Sequence, residues 1–189
     1  MRVFLIHGWE GRPDNHWFPW LTLELKARGF EVFAPAMPNA ANPKVKEWLE
    51  MLSDWVGKPD EETYFVGHSL GCITILRYLE TVNTPVGGAI FVAGWFNLTD
   101  ETWDEIYTRE IAGEWINTPV NFKSIKEHTG KFVLVNSDND PYVPLSDADL
   151  FKNNLGADII TLKSRGHIPG ENGVTELPIV LEELLKMAK

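Results

Sequence analysis

Cysteine is almost absent from the sequence, since Cys72 is the only one among 189 residues. A single thiol cannot form a disulfide within the chain, and it cannot provide the several cysteines of a typical zinc site. Cys72 falls one turn into a predicted helix, where we expect a buried structural thiol rather than a second nucleophile.

Positive charge is also scarce, with 17 Lys and Arg residues against 27 Asp and Glu and a net charge of −10. No cluster of basic residues could follow a phosphate backbone, so we expect no nucleic-acid partner. Long apolar runs are missing as well. The longest, near residues 89–96, has the length of a strand, and the N-terminal run at 3–6 is too short for a signal peptide. We therefore expect no contact with a membrane and a location in the cytoplasm.

The remaining composition, 44% hydrophobic and 23% charged, is typical of one globular domain over residues 1–189. Short β-branched and aromatic runs alternate with segments of helical periodicity. The predicted strands are 3–6, 30–34, 63–66, 88–93, 131–136 and 158–162. The predicted helices are 17–28, 45–56, 70–80, 145–155 and 174–187.

This alternation predicts an α/β fold, an open, doubly wound, mostly parallel six-stranded sheet with helices on both faces. The strand order 2-1-3-4-5-6 would bring the ends of strands one and three together at the switch point, where a cleft opens. The segment 94–130 interrupts the pattern, because it is acidic, aromatic and only weakly periodic. Two interpretations of it remain open: a short lid-like insert over the cleft, and a docking surface for an unidentified protein partner.

A serine stands between two glycines where the third strand meets its helix, in Gly67-His68-Ser69-Leu70-Gly71. This arrangement is typical of a nucleophile elbow. The turn strains the serine backbone, and side chains at either glycine would collide with the neighbouring strand and helix. The alternative is a tight turn in which Ser69 only caps the helix.

A serine hydroxyl becomes a good nucleophile only when an oriented base removes its proton. Of the five histidines, His167 fits best, because its loop, 164–170, follows the last strand and can reach the cleft. The acid should follow strand five, where the sequence offers Asp138 and Asp140. We favour Asp140, because two prolines stiffen its loop, while Asp138 could instead brace the turn.

Attack of Ser69 on a carbonyl would form an oxyanion, which needs preplaced N–H donors. The backbone N–H of Leu70, at the start of a helix, is one candidate. The loop after the first strand supplies the other, with Trp9 favoured over Glu10.

The sequence resembles the α/β-hydrolase superfamily in four motifs: H-G at 7–8, G-H-S-L-G at 67–71, D-x-x-V-P at 140–144 and G-H at 166–167. The short length and the segment N-H-W-F-P-W at 15–20 are similar to the small serine hydrolases of the YdeN and retinoblastoma-binding-protein type. The resemblance spans the whole chain and implies Ser69 as nucleophile, Asp140 as acid and His167 as base.

The resemblance also implies hydrolysis of small carboxylic esters without a metal or organic cofactor. The sequence departs from the larger members of the superfamily, because we expect a minimal fold without a large cap domain. A thioesterase or small-amide hydrolase would use the same residues. A binding protein that keeps the hydrolase fold is the alternative from another functional class.

Several of the eight tryptophans fall in segments near the expected cleft. We expect Trp95, Trp17 and His16 to contribute to a substrate pocket. Trp95 is the best candidate, because it follows strand four at the same edge of the sheet. The alternative is that these aromatic residues pack on the core for stability.

Overall fold

The computed structural model describes residues 1–168 and 173–189. Its strands are β1 (Arg2–Ile6), β2 (Glu31–Phe33), β3 (Thr63–His68), β4 (Gly88–Val92), β5 (Phe132–Ser137) and β6 (Asp158–Leu162). Its helices are α1 (Phe18–Lys26), α2 (Val45–Val56), α3 (Leu70–Leu79), α4 (Asp100–Asp104), α5 (Ile106–Ile116), α6 (Phe122–His128), α7 (Asp147–Leu155) and α8 (Pro178–Met187).

The six strands form one sheet in the order β2-β1-β3-β4-β5-β6, and every neighbouring pair is parallel. Two apolar clusters cover its two faces, one built around α2, α3 and α7 and the other around α1 and α8. The predicted doubly wound fold and its strand order are therefore confirmed. The carboxyl ends of β1, β3, β4, β5 and β6 meet at one edge, where the chemistry of such folds is found.

The last helix begins later than the predicted residue 174, at Pro178. Proline fixes its own φ and lacks an N–H, so it suits the first turn of a helix. It also disfavours helical backbone in the residue before it, and Leu177 has φ −136° and ψ 72°. Part of the predicted histidine loop, Pro169 and Gly170, lies outside the described residues.

The insert 94–130 contains three short helices, α4, α5 and α6. Trp115 and Ile125 anchor it in the core, because both are buried against the α3 face of the sheet. The buried guanidinium of Arg77 on α3 donates hydrogen bonds to the carbonyls of Trp115 and Thr118 where α5 ends. The contact with Trp115 satisfies a carbonyl that the helix C-terminus leaves unpaired, and both contacts fix the end of α5 on the body of the protein.

Within the described residues, no helix is long and apolar enough to cross a membrane.

Candidate active site

Ser69 lies at the turn between β3 and α3 with φ 52° and ψ −119°, a conformation that non-glycine residues rarely adopt. Its backbone N–H donates to the carbonyl of Val92 on β4, over 2.9 Å, which secures the strained turn to the neighbouring strand. A Cβ on Gly67 would lie 2.8 Å from the backbone nitrogen of Cys72. A Cβ on Gly71 would lie 2.8 Å from the carbonyl oxygen of His7 and closer still to that of Ile6. Both positions therefore require glycine, as the motif indicates.

The structure brings Ser69, His167 and Asp140 together in one hydrogen-bonded series. Ser69 Oγ lies 2.8 Å from His167 Nε2, and His167 Nδ1 lies 2.8 Å from Asp140 Oδ2. A carboxylate only accepts, so Nδ1–H donates to Asp140 and leaves Nε2 free to accept the serine proton. The Asp140 side chain is 4% exposed and that of His167 is 15% exposed. This arrangement can deprotonate a serine hydroxyl and hold the imidazole that does so.

In the loop after β5, the two candidate acids, Asp140 and Asp138, have different hydrogen-bond partners. The second oxygen of Asp140, Oδ1, accepts the backbone N–H groups of Tyr142 and Val143 at 2.9 and 3.1 Å, which fixes the direction of the carboxylate. Asp138 instead accepts the N–H of Ser164 at 2.8 Å and so braces the histidine loop. The geometry thus favours Asp140 over Asp138 as the partner of His167.

Two polar residues beside these acids were not singled out in the sequence. Asn139 Oδ1 accepts the N–H of Gly166 at 2.9 Å, and Ser137 Oγ accepts the N–H of Arg165 at 2.9 Å. Asn139 and Ser137 are themselves hydrogen-bonded at 2.8 Å. Together they hold the backbone immediately before His167. Their position directly after a predicted strand was the only sequence signal.

Two further histidines have structural contacts close to the site. His68 Nε2–H donates to the carbonyl of His167 at 3.0 Å, and burial lowers the pKa of His68 to about 3, so its ring is neutral at pH 7. His7 Nε2 accepts the N–H of Met37 at 2.9 Å, and its Nδ1–H donates to the carbonyl of Gly8. Burial also lowers the pKa of His7. Both rings therefore hold neighbouring backbone groups by hydrogen bonds.

The backbone N–H groups of Trp9 and Leu70 are the candidate oxyanion donors, and they differ from that of Glu10, the alternative, in whether they already have a hydrogen-bond acceptor. Glu10 donates its backbone N–H to the carbonyl of Ala40 at 2.8 Å, so that group is already occupied. Within residues 1–168 and 173–189, no carbonyl accepts the backbone N–H of Trp9 or that of Leu70. Leu70 is the first residue of α3, where helix geometry leaves the N–H unpaired and the macrodipole favours negative charge.

A cleft of about 340 Å³ opens beside Ser69 and His167. Most of the residues that line its wall besides these two are aromatic or acidic: Trp9, Trp95, Tyr107, Tyr142, Glu10 and Glu105. The insert contributes directly to this wall, because Tyr107 and Glu105 lie at the start of α5. Tyr107 Oη and Trp9 Nε1 both donate to the carbonyl of Ala41, at 2.8 and 3.1 Å, and so join both the insert and the loop after β1 to the loop after β2.

Two of the three residues expected in the pocket lie elsewhere. Trp17 is fully buried in the cluster on the α1 and α8 face of the sheet, packed against Phe18, and it does not line the cleft. His16 is exposed, with φ 58°, and is also absent from the cleft wall. The expectation is corrected for both because their segment leads into α1, which packs on the other face. Trp95 alone of the three lines the cleft.

Among the residues that the structure describes, no group of three His, Cys, Asp or Glu side chains is arranged to hold a metal ion. Cys72 is buried, and desolvation raises the pKa of its thiol above the usual value. Burial therefore disfavours the nucleophilic thiolate form of Cys72.

The chain matches the family model described as serine hydrolase over residues 3–186. It is 32% identical over 185 residues to the YdeN protein of Bacillus subtilis (strain 168), which covers 97% of this chain and 94% of that protein. It is 28% identical over 152 residues to the serine hydrolase RBBP9 of Rattus norvegicus, covering 80% of this chain and 77% of that protein.

Solved structures share the fold. The crystal structure of the B. subtilis ydeN gene product has a TM-score of 0.88, with 98% of this chain and 97% of that chain covered. The structure of Est1E from Butyrivibrio proteoclasticus with ferulic acid bound has a TM-score of 0.73 at 17% identity, covering 98% of this chain and 88% of that chain. At that identity the likeness to Est1E shows the fold alone.

Proposed function

Since this chain belongs to the serine hydrolase family, we propose that it hydrolyses small carboxylic esters through a Ser69–His167–Asp140 triad and an acyl-enzyme. The observation that carries the proposal is the unbroken hydrogen-bonded series from Ser69 Oγ through His167 to Asp140, with 2.8 Å at each step. The series lies at the mouth of a cleft of about 340 Å³, which is a suitable size for a small ester.

In the first half-reaction Ser69 Oγ attacks the ester carbonyl carbon while His167 Nε2 takes the hydroxyl proton. The carbonyl oxygen becomes an oxyanion facing the N–H groups of Trp9 and Leu70. Collapse of this intermediate breaks the bond to the alcohol oxygen, which takes the proton from His167. The acyl group then remains on Ser69, and the alcohol leaves.

In the second half-reaction a water molecule attacks the acyl carbon as His167 Nε2 takes its proton. Collapse breaks the bond to Ser69 Oγ, which recovers a proton from His167, and the carboxylic acid leaves. Asp140 keeps the imidazole in the tautomer with hydrogen on Nδ1 and stabilises the imidazolium in both halves. The buried position of the Asp140 carboxylate strengthens this interaction.

Pre-steady-state hydrolysis of p-nitrophenyl butyrate tests this scheme. We expect a burst of p-nitrophenol that approaches one equivalent of enzyme when deacylation is slow, or a trapped butyryl adduct on Ser69 found by mass spectrometry. Ser69→Ala should show neither, whereas Ser53→Ala, a change on the exposed face of α2, should match the wild type. Turnover that persists in Ser69→Ala would contradict the proposal.

A second panel identifies the bond that is cleaved. The butyryl thioester and the butyryl amide of matched leaving groups would use the same triad. We propose the ester as the best substrate, so kcat/KM should be highest for it. A higher kcat/KM for the thioester or for the amide would replace the ester in this proposal while leaving the triad in place.

A further inference from the structure

Trp95 contacts the nucleophile itself, since its indole Nε1 lies 3.3 Å from Ser69 Oγ. Trp95 is 3% exposed as a whole residue, so water competes little for this N–H. We propose that Trp95 is a catalytic residue, an N–H donor that holds the Ser69 hydroxyl in its reactive orientation and stabilises negative charge on Oγ. This inference rests on the proposed serine hydrolase reaction and adds to it a side chain outside the triad.

The direction of the hydrogen bonds follows from the chemistry of the groups. An indole nitrogen only donates, so Ser69 Oγ must accept from Trp95. The single hydroxyl proton of Ser69 then has one acceptor left, His167 Nε2 at 2.8 Å. Trp95 thereby disfavours orientations of the Ser69 hydroxyl in which the proton points away from His167.

The same N–H acts on charge that develops during the reaction. As the Ser69 proton moves to His167, negative charge grows on Oγ and the hydrogen bond from Trp95 strengthens. During deacylation, Oγ becomes the leaving oxygen when its bond to the acyl carbon breaks, and charge develops there again. The indole proton stays on Trp95 throughout, so the proton transfers of the proposed reaction are unchanged.

The fold directs Trp95 at Ser69 through a second strained turn. Ala93, directly after β4, has φ 49°, which is rare for a residue with a side chain. Two neighbouring strands, β3 and β4, therefore end in strained residues, Ser69 and Ala93. Strain of this kind persists where surrounding contacts impose it, and it is concentrated at functional sites.

Asp147, at the start of α7, imposes the position of the segment that follows Trp95. Its carboxylate is 1% exposed. Oδ2 accepts the N–H groups of Phe96 and Asn97 at 2.5 and 2.8 Å, and Oδ1 accepts the side-chain amide of Asn97 at 2.8 Å. Asp147 touches no reacting atom, so we assign it as a positioning residue that acts through Trp95.

Trp95→Phe tests the donor role, because it keeps an aromatic ring and removes the N–H. We expect the second-order rate of fluorophosphonate labelling and the kcat for p-nitrophenyl butyrate to fall about fivefold to tenfold, with KM within twofold of the wild type. Trp115→Phe is the matched control. That indole is also buried but donates to the carbonyl of Pro43, and labelling should stay within twofold.

Different outcomes separate the possible failures. Equal labelling rates for Trp95→Phe and the wild type would overturn the donor role, as would a change confined to KM, which indicates a residue that only lines the pocket. A wild type that does not label at all, or a Ser69→Ala variant that labels equally, would overturn the proposed function first.

A second test uses Ser69→Ala, which removes only one hydroxyl, so it does not require Trp95→Phe to fold. In a ¹H–¹⁵N spectrum, the indole proton of Trp95 should move upfield in Ser69→Ala, because its acceptor is gone, while the indole proton of Trp115 should not. An unchanged Trp95 resonance would contradict the hydrogen bond. Asp147→Asn should reduce kcat in the same direction as Trp95→Phe, and the double variant should lose less than the product of the two single effects.

Discussion

Gly71→Ala is expected to separate the elbow helix from the end of β1. An added Cβ would lie 2.8 Å from the His7 carbonyl oxygen and would overlap that of Ile6. Both atoms belong to the backbone at the end of a central strand, so neither can move aside as a flexible side chain would. The N-terminus of α3 must shift instead, and it carries Ser69 and the Leu70 N–H with it.

The cost can be worked out from two opposing terms. Overpacking against unyielding neighbours costs up to about 3 kcal/mol. Replacing glycine with alanine inside a helix returns roughly 1 kcal/mol of helix propensity. The net loss is therefore roughly 2 kcal/mol of unfolding free energy, and for a chain of this length that lowers Tm by roughly 4–8 °C.

Thermal unfolding followed by circular dichroism measures this loss, and fluorophosphonate labelling of the folded variant should be at least tenfold slower. Gly130→Ala is the control, because its Cβ would meet nothing within 4 Å. Its Tm should stay within about 3 °C of the wild type. A Gly71→Ala variant with the Tm and labelling rate of the wild type would refute the steric reasoning.

Three further predictions concern the acid, the pH dependence and the insert. Asp140→Asn should slow labelling by roughly 10⁴ because the amide favours the wrong imidazole tautomer, whereas Asp138→Asn should slow it less than about tenfold; the reverse order would exchange their roles. The folded-state pKa of His68 is about 3 and lies below its unfolded value, so the unfolded chain binds more protons and stability falls as pH drops below about 6. Urea unfolding at pH 5 and 7 should show this loss of unfolding free energy, at most about 1.4 kcal/mol per pH unit. The loss should be smaller in His68→Asn and unchanged in His16→Asn, the control at an exposed histidine. Equal losses in the two variants would contradict the role of His68. Arg77→Met should lower the urea-unfolding free energy by about 2 kcal/mol, because the buried carbonyl of Trp115 at the end of α5 loses its donor, and a change below about 1 kcal/mol would count against that anchoring role.

The parallel, doubly wound sheet could be predicted from the sequence because strands and helices alternate and β-branched runs identify the strands. Since parallel strands end at one edge, the sequence also predicted that Ser69, Asp140 and His167 follow strands at the same edge. The choice of Asp140 over Asp138 needed only local reasoning, since a stiff loop fixes a carboxylate. These inferences depend on features that lie close together in the chain.

The features that the sequence did not reveal depend on contacts between distant segments. The spacing of Trp17 shows that one side of α1 is apolar, but it does not show which face of the sheet that helix covers. An Asp in the first turn of a helix, such as Asp147, is usually exposed to solvent. The burial of Asp147 results from contacts with residues about 50 positions away. The contact of Trp95 with Ser69 likewise depends on the strained turn at Ala93, which leaves no pattern in the sequence.

Fluorophosphonate labelling of the wild type beside Ser69→Ala and His167→Ala, read by intact mass and peptide mapping, tests the central claim most directly. The account predicts one adduct on Ser69 in the wild type, none in Ser69→Ala and labelling slower by several orders of magnitude in His167→Ala. A folded wild type that acquires no adduct, or an adduct on another residue, would contradict it.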